Sequence, residues 1–348
     1  MARKTLHRFA LQVAIALAAC AVLTVEAGAA MSVADTAPAR SDAAYQRLIE
    51  ATNAVVGIKV KAIADARSNE TLGREREGSG VVIRDGLVLT IGYLVLEADQ
   101  VEVTDYQGQT VPGAVVAYDH ATGFGLVKAL APIASRVARL GTVQPVSQLD
   151  RMMIVTGGEE QNISIATVVS RRAFAGYWEY LIDDAIFTSP PRLDHSGAAL
   201  INQQGEIVAI GSLLVLDALT PGERLPGNMF VPVDLVRPVL DEMVRTGSQL
   251  GARRPWLGVN SLEEDGRVKV VQVNDESPAA VAGIVAGDII LSIDGEKVAS
   301  LETFYQALWT RGQPGVMVVL TVLHGPTMRE VPVRSIDRSD FVRKRPTI

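Results

Sequence analysis

Short apolar runs alternate with turn signals along most of the chain. "GVVIRDGLVLT" (80–90) is two β-rich runs around Asp85-Gly86, a two-residue hairpin signal. "VEVTDYQGQTVPGAVVAYD" (101–119) continues in short strands. "ALINQQGEIVAIGSLLV" (199–215) reads as a second hairpin turning at Gln203 to Gly205. This spacing predicts a β-barrel or sandwich rather than alternating β/α units. A helix is expected to close the region: Asp234 is placed to cap it, Leu235, Val236, Val239, Leu240, Met243 and Val244 share an apolar face, and Gly247 ends it. "GSQLGARRP" (247–255) reads as an interdomain linker.

A second unit follows, beginning at "PWLGV" (255–259). "RVKVVQV" is a strand. "SPAAVAGIVAGDIILSIDGEKV" (277–298) reads as a short helix from Pro278, a Gly-rich bend, a strand and a tight Asp294-Gly295 turn. "SLETFYQALWTRG" is an amphipathic helix with Leu301, Phe304 and Leu308 on one side. "GVMVVLTVLHG" and "MREVPV" are closing strands.

Composition narrows the function classes. The 348 residues allow two domains, and 48% hydrophobic with 21% charged residues describes a soluble globular protein. A net charge of −6 argues against an electrostatic nucleic-acid binder. Cys20 is the one cysteine, which excludes an intramolecular disulfide and a cysteine metal site. No His/Asp/Glu group has metal-ligand spacing, so neither metal nor cofactor is expected.

Residues 1–30 read as an export signal: Arg3, Lys4 and Arg8 form the basic start, "FALQVAIALAACAVLTV" the apolar stretch and "EAGAA" the cleavage region. "LAAC", ending at Cys20, resembles a lipobox, and an uncut anchor is the third reading. All three place the folded part outside the cytoplasm, most simply in a periplasm, with membrane contact only through an uncleaved or lipidated N-terminus. Residues 31–44 read as a flexible linker.

"SPAAVAGIVAGDIILSIDGEKV" resembles a PDZ domain of the HtrA/Deg type. "GSGVVI", "GLVLT", "DHSGAALIN" and "FVPVDLVRPVLDEMVRTG" resemble the same family's trypsin-like domain, in order. The resemblance implies a mainly β protein: a chymotrypsin-like double β-barrel over 45–250, a PDZ domain over 251–336 and a C-terminal tail over 337–348. It further implies an exported serine endopeptidase of protein quality control or stress sensing, often a homotrimer. Tyr45, Leu48 and Ile49 before the barrel are the candidate trimer contacts.

The family's catalytic residues do not all carry over. The His of its Thr-Asn-x-His-Val-Val motif aligns with Tyr93 in "TIGYLV". The Asp of its Asp-Leu-Ala-Val-Leu-Lys segment aligns with Gly123 in "GFGLVK". In "PRLDHSGAAL" (191–200), Ser196 and Gly197 match the nucleophile motif, but Asp194 stands at the oxyanion-hole glycine. Acyl transfer by serine needs a base, a carboxylate to orient it, and donors for the oxyanion. Tyr93 is a poor base near neutrality, Gly123 has no carboxylate, and Asp194 would repel a developing anion. Pro190 and Pro191 also lack N–H groups before the loop. Substitute bases to weigh are His120, His195 and Lys128.

The PDZ-like unit keeps its motif. A peptide would pair with a strand edge while a loop holds its terminal carboxylate. By resemblance that loop is Trp256, Leu257, Gly258 and Val259, with Leu257, Val259, Phe304 and Leu308 lining an apolar pocket. The leading function is a pseudoprotease that binds polypeptide C-termini or unfolded proteins. The alternatives are an active HtrA-type endopeptidase using Ser196 with an unorthodox base, and a structural subunit that mixes with active relatives.

Overall fold

The computed structural model describes residues 37–247 and 253–343. The export signal and linker residues 248–252 lie outside these ranges. Strands β1 (Val55–Ala62), β2 (Glu75–Arg84), β3 (Leu87–Ile91), β4 (Ala98–Thr104), β5 (Thr110–Tyr118) and β6 (Phe124–Ala129) close a first barrel in the order β1-β2-β3-β6-β5-β4. Strands β7 (Arg151–Thr156), β8 (Asn162–Gly176), β9 (Tyr180–Ser189), β10 (Ala199–Ile201), β11 (Ile207–Val215) and β12 (Gly227–Pro232) close a second, in the order β10-β11-β12-β9-β8-β7. The chain is therefore mainly β, a double barrel followed by a smaller β unit. Closure leaves neither barrel an open edge.

The hairpins read from the sequence are present. Val81 pairs with Leu89 across Asp85-Gly86, and Leu200 with Ala209 across the turn containing Gly205. Their inward residues build a core containing Ile58, Leu89, Phe124, Leu126 and Phe187, all buried, and Ile154, Ile186, Leu200 and Phe230 form a separate cluster in the second barrel. The two barrels meet backbone to backbone. A Cβ on Gly157 would lie 2.1 Å from the Val56 carbonyl carbon, and one on Gly57 would lie 2.6 Å from Gly158 Cα.

The C-terminal unit is a six-stranded sheet of β14 (Val259–Glu264), β15 (Arg267–Val273), β16 (Ile289–Ile293), β18 (Met317–His324) and β19 (Thr327–Arg334), with β17 (Glu296–Lys297) on β16. Strand β14 is an edge. Asp294 and Gly295 both have positive φ, 48° and 80°, as a tight two-residue hairpin turn requires. The helix Leu301–Trp309 covers the sheet, started by a capping box in which Ser300 and Thr303 satisfy each other's backbone N–H groups.

Three expectations are corrected. The helix foreseen from Asp234 begins only at Leu240, after a 3-10 turn over Val233–Leu235. Pro238 disfavours helical geometry before it, Asp234 instead accepts from Val143 N at 2.8 Å, and Val244 is exposed. The linker reading of 31–44 fails from Ala37 onward, where the Ala-rich segment forms the helix Ala37–Asn53. Within it Leu48 packs on the barrel core.

The segment after 336 is not a loose tail. Strand β20 (Ile336–Asp337) pairs with β13 (Pro255–Trp256). Phe341 packs on Trp256 at 4.6 Å and under the Arg67 guanidinium at 4.2 Å. Arg343 donates to Glu97 and Asp65 of the first barrel at 2.7 and 2.6 Å. This strap ties the PDZ-like unit to the double barrel. Because the barrels touch through glycine backbone, Gly157→Ala should destabilise the fold by about 1–3 kcal/mol, read as a lower midpoint in urea unfolding.

Candidate functional site

The Ser196 loop is built by the contact between barrels. Ser79 N donates to the Ser196 carbonyl at 2.8 Å, and Gly197 N to Gly211 O at 2.8 Å. Gly197 has φ 72°, and a Cβ there would lie 1.9 Å from Ser79 O, so only glycine fits. Upstream, Asn228 clamps the loop: its Oδ1 accepts from Arg192 N at 2.7 Å and its Nδ2 donates to Arg192 O at 2.9 Å.

The structure brings Tyr93 to Ser196. The helical turn Gly92–Val95 after β3 carries the phenol, whose oxygen lies 2.7 Å from Ser196 Oγ and 2.7 Å from the Ser212 carbonyl. A carbonyl only accepts, and a phenol has one proton. Tyr93 therefore donates to Ser212 O, and the Ser196 hydroxyl donates to Tyr93. Burial pushes the phenol up to about 12, opposed by its bond to Ser196.

Gly123 stands beside this turn, with Gly92 N donating to its carbonyl at 2.6 Å. It has φ 78°, and a Cβ would lie 2.7 Å from the Tyr180 hydroxyl, which donates to Thr122 O at 2.8 Å. Tyr180 thus fills the room where a side chain at 123 would begin. Asp194 is turned to Arg192, whose Nε donates at 2.9 Å, and to Thr156 Oγ1 at 3.1 Å. Burial would raise its carboxyl, but Arg192 and Thr156 hold it below the usual range. The Asp194 carboxylate is thus held in an ion pair with Arg192, beside the Ser196 loop.

The substitute bases are elsewhere. His195 Nδ1 lies 3.0 Å from Arg192 O. His120 packs edge-on against Tyr118 at 4.3 Å and lines a cavity between the units with Arg254, Trp309 and Arg338. Burial, then Arg338, keeps it well below its ordinary pKa. Lys128 Nζ donates to Asp85 O at 2.6 Å, on the β2–β3 hairpin. None of the three bonds to Ser196.

The second cluster lies where the loop before edge strand β14 and the helix Leu301–Trp309 come together. Leu257, Val259, Phe304 and Leu308, expected to line an open pocket, are instead packed into the unit's core, and Trp256 lies beneath the C-terminal strap. Gly258 has φ 84°, and a Cβ there would lie 2.3 Å from Ser277 Cβ. The amides of this loop are engaged, which the sequence reading did not foresee. Glu179, in the β8–β9 hairpin, accepts from Leu257 N at 3.1 Å, Gly258 N at 2.7 Å and Val259 N at 3.1 Å. Ser261 N donates to Tyr177 O at 2.9 Å. Tyr305 donates to Gly176 O at 2.7 Å and accepts from Glu179 N at 3.3 Å. Burial pushes the Glu179 carboxyl up to about 7, opposed by the three amides and by Arg338. The sequence signal was faint: "GYWEY" offers a turn but no reason to look for its partner in another unit.

Comparison with known proteins agrees with this architecture. Residues 78–210 match the trypsin-like peptidase domain, and residues 255–334 match the PDZ domain. Serine endoprotease DegS of Haemophilus influenzae is 28% identical over 299 residues, 81% of this chain and 84% of its own. A protein of Halomonas elongata named "Probable periplasmic serine endoprotease DegP-like" is 25% identical over 285 residues, 77% of this chain and 58% of its own. Among solved structures, the HtrA-type protease AlgW with decapeptide shares the fold at 19% identity and TM-score 0.52, covering 87% of this chain and 99% of that one.

The crowding at position 123 is directly testable. Gly123→Ala and Gly123→Asp should each lower stability by about 1–3 kcal/mol through overpacking and positive φ, measured by chemical denaturation.

Proposed function

We propose that this chain, a trypsin-like peptidase domain joined to a PDZ domain as in the HtrA and DegS proteins, is an exported pseudoprotease that holds polypeptides without cleaving them. The observation that carries this reading is the proton arrangement at Ser196. Attack by serine requires its proton to move to a base as the new C–O bond forms. The partner of Ser196 is a phenol that already carries a proton and gives it to Ser212 O. It cannot take a second near neutrality, and its deprotonation near 12 lies above any working pH. Gly123 supplies no carboxylate to orient a replacement, and Asp194, paired with Arg192, stands where the family has glycine.

The PDZ domain is the part proposed to bind. Its edge strand and, with Glu179 displaced, the amides of 257–259 suit an extended polypeptide ending in an apolar residue with a free carboxylate, and one solved structure of this fold is an HtrA-type protease with decapeptide. Export rests on the basic start, apolar run and small residues of 1–30, and among the described residues no helix is long and apolar enough to cross a membrane. Trimerisation through the segment before the barrel is a further part of the proposal, with Tyr45 and Ile49 as its contacts; Leu48 is already engaged by the chain's own core.

Purified protein should neither cleave unfolded casein between pH 5 and 10 nor form a fluorophosphonate adduct. Tyr93→His with Gly123→Asp should remain inactive, because Tyr180 and Asp194 persist. Casein cleavage that disappears in Ser196→Ala overturns the pseudoprotease reading. For the binding function, fluorescent peptides with free apolar C-termini should bind more tightly than their amidated forms; equal affinity, or no binding across a broad peptide library, rules it out.

A further inference from the structure

The β8–β9 hairpin meets edge strand β14 and the loop before it as a ligand would. Tyr177 meets edge strand β14 through a backbone bond, its carbonyl accepting from Ser261 N at 2.9 Å. Two residues later the chain delivers a carboxylate to the amides of Leu257, Gly258 and Val259. Ala175 and Leu181 on either side pack into the PDZ core with Phe304 and Leu308. Strand-edge pairing, a carboxylate in a cradle of consecutive N–H groups and apolar contacts below are the elements of C-terminal recognition by this kind of groove. Here all three come from the same chain.

The backbone of the hairpin points the same way. Gly176 pairs with Tyr180, leaving a three-residue loop, and Glu179 is its third residue with φ 57°. That position in a three-residue hairpin favours glycine. A non-glycine there costs roughly 1 kcal/mol, so hairpin geometry alone does not call for glutamate. What glutamate adds is the carboxylate, whose bonds go to the other unit.

We infer that the β8–β9 hairpin is an internal ligand of the PDZ groove, with the Glu179 side chain standing where a polypeptide's terminal carboxylate would bind. An external C-terminus and the hairpin then compete for one set of amides. The competition rests on the peptide-binding function proposed above; occupancy by the hairpin does not.

The test uses the full mature chain, comparing wild type with Glu179→Ala and Glu179→Gln. Hydrogen exchange without peptide reads occupancy, with β18–β19 as the control for folding. The amides of 257–259 should exchange at least tenfold faster in Glu179→Ala, by an intermediate factor in Glu179→Gln, and unchanged in β18–β19. Equal protection of 257–259 in wild type and Glu179→Ala overturns the inference. Anisotropy with a fluorescein-labelled peptide of free apolar C-terminus then reads the competition. Glu179→Ala should bind it at least tenfold more tightly than wild type, and saturating peptide should deprotect residues 176–181 of wild type. Loss of amide protection without peptide binding in any variant upholds the internal ligand and removes the peptide-binding function. Peptide binding of equal strength in wild type and Glu179→Ala overturns the competition.

Discussion

The bond set between Glu179 and the amides of residues 257–259 joins the two halves of the molecule. A carboxylate buried at the meeting of two units is costly unless its oxygens are satisfied. Three consecutive N–H groups satisfy them, and those groups in turn would be orphaned without an acceptor. Each side therefore needs the other. The strap from β20 through Arg343 adds a second tie, with Arg338 donating to Trp178 O of the same hairpin at 3.1 Å. Domain placement thus combines these polar contacts with apolar packing, of Ala175 and Leu181 on the PDZ core and of Phe341 on Trp256.

Around Ser196 the architecture has its own reasons, separate from chemistry. The Ser196 carbonyl, Gly197 and Gly78 are held by the approach of β2 to the loop; a Cβ on Gly78 would lie 2.6 Å from Ser196 O. Glycine at 197 is what this barrel contact requires, whether or not the neighbouring hydroxyl reacts. Tyr93 then completes a closed hydrogen-bond chain from Ser196 through the phenol to Ser212 O, leaving no polar group in it unpaired.

The β architecture was legible in the sequence because its signals are local: two-residue alternation, Asp-Gly and Gly turns, and a Ser-Pro helix start. The meeting of Tyr93 with Ser196, 103 residues apart, was legible only through family resemblance. What stayed hidden was non-local or competed with a local signal. Asp234 resembled a cap, but Pro238 and the pull of Val143 N decided otherwise. Residues 337–343 were read as a C-terminal tail because Phe341 finds its partners, Trp256 and Arg67, far along the chain. Glu179 was invisible for the same reason: a glutamate in a turn is ordinarily a solvated one, and nothing within the hairpin announces three amides some eighty residues away.

Adjacent residues of that hairpin face opposite tasks. Glu179 reaches into the PDZ amides, while Tyr180 reaches back to Thr122 O and crowds Gly123. Positions 123 and 180 therefore constrain each other. A carboxylate introduced at 123 meets the Tyr180 hydroxyl, and a smaller residue at 180 leaves a hole in the wall of the barrel while position 123 is still bare. Neither single step is favourable by itself, and loosening Tyr180 disturbs the neighbour that holds the two units together. Position 123 therefore resists a side chain for as long as Tyr180 stands.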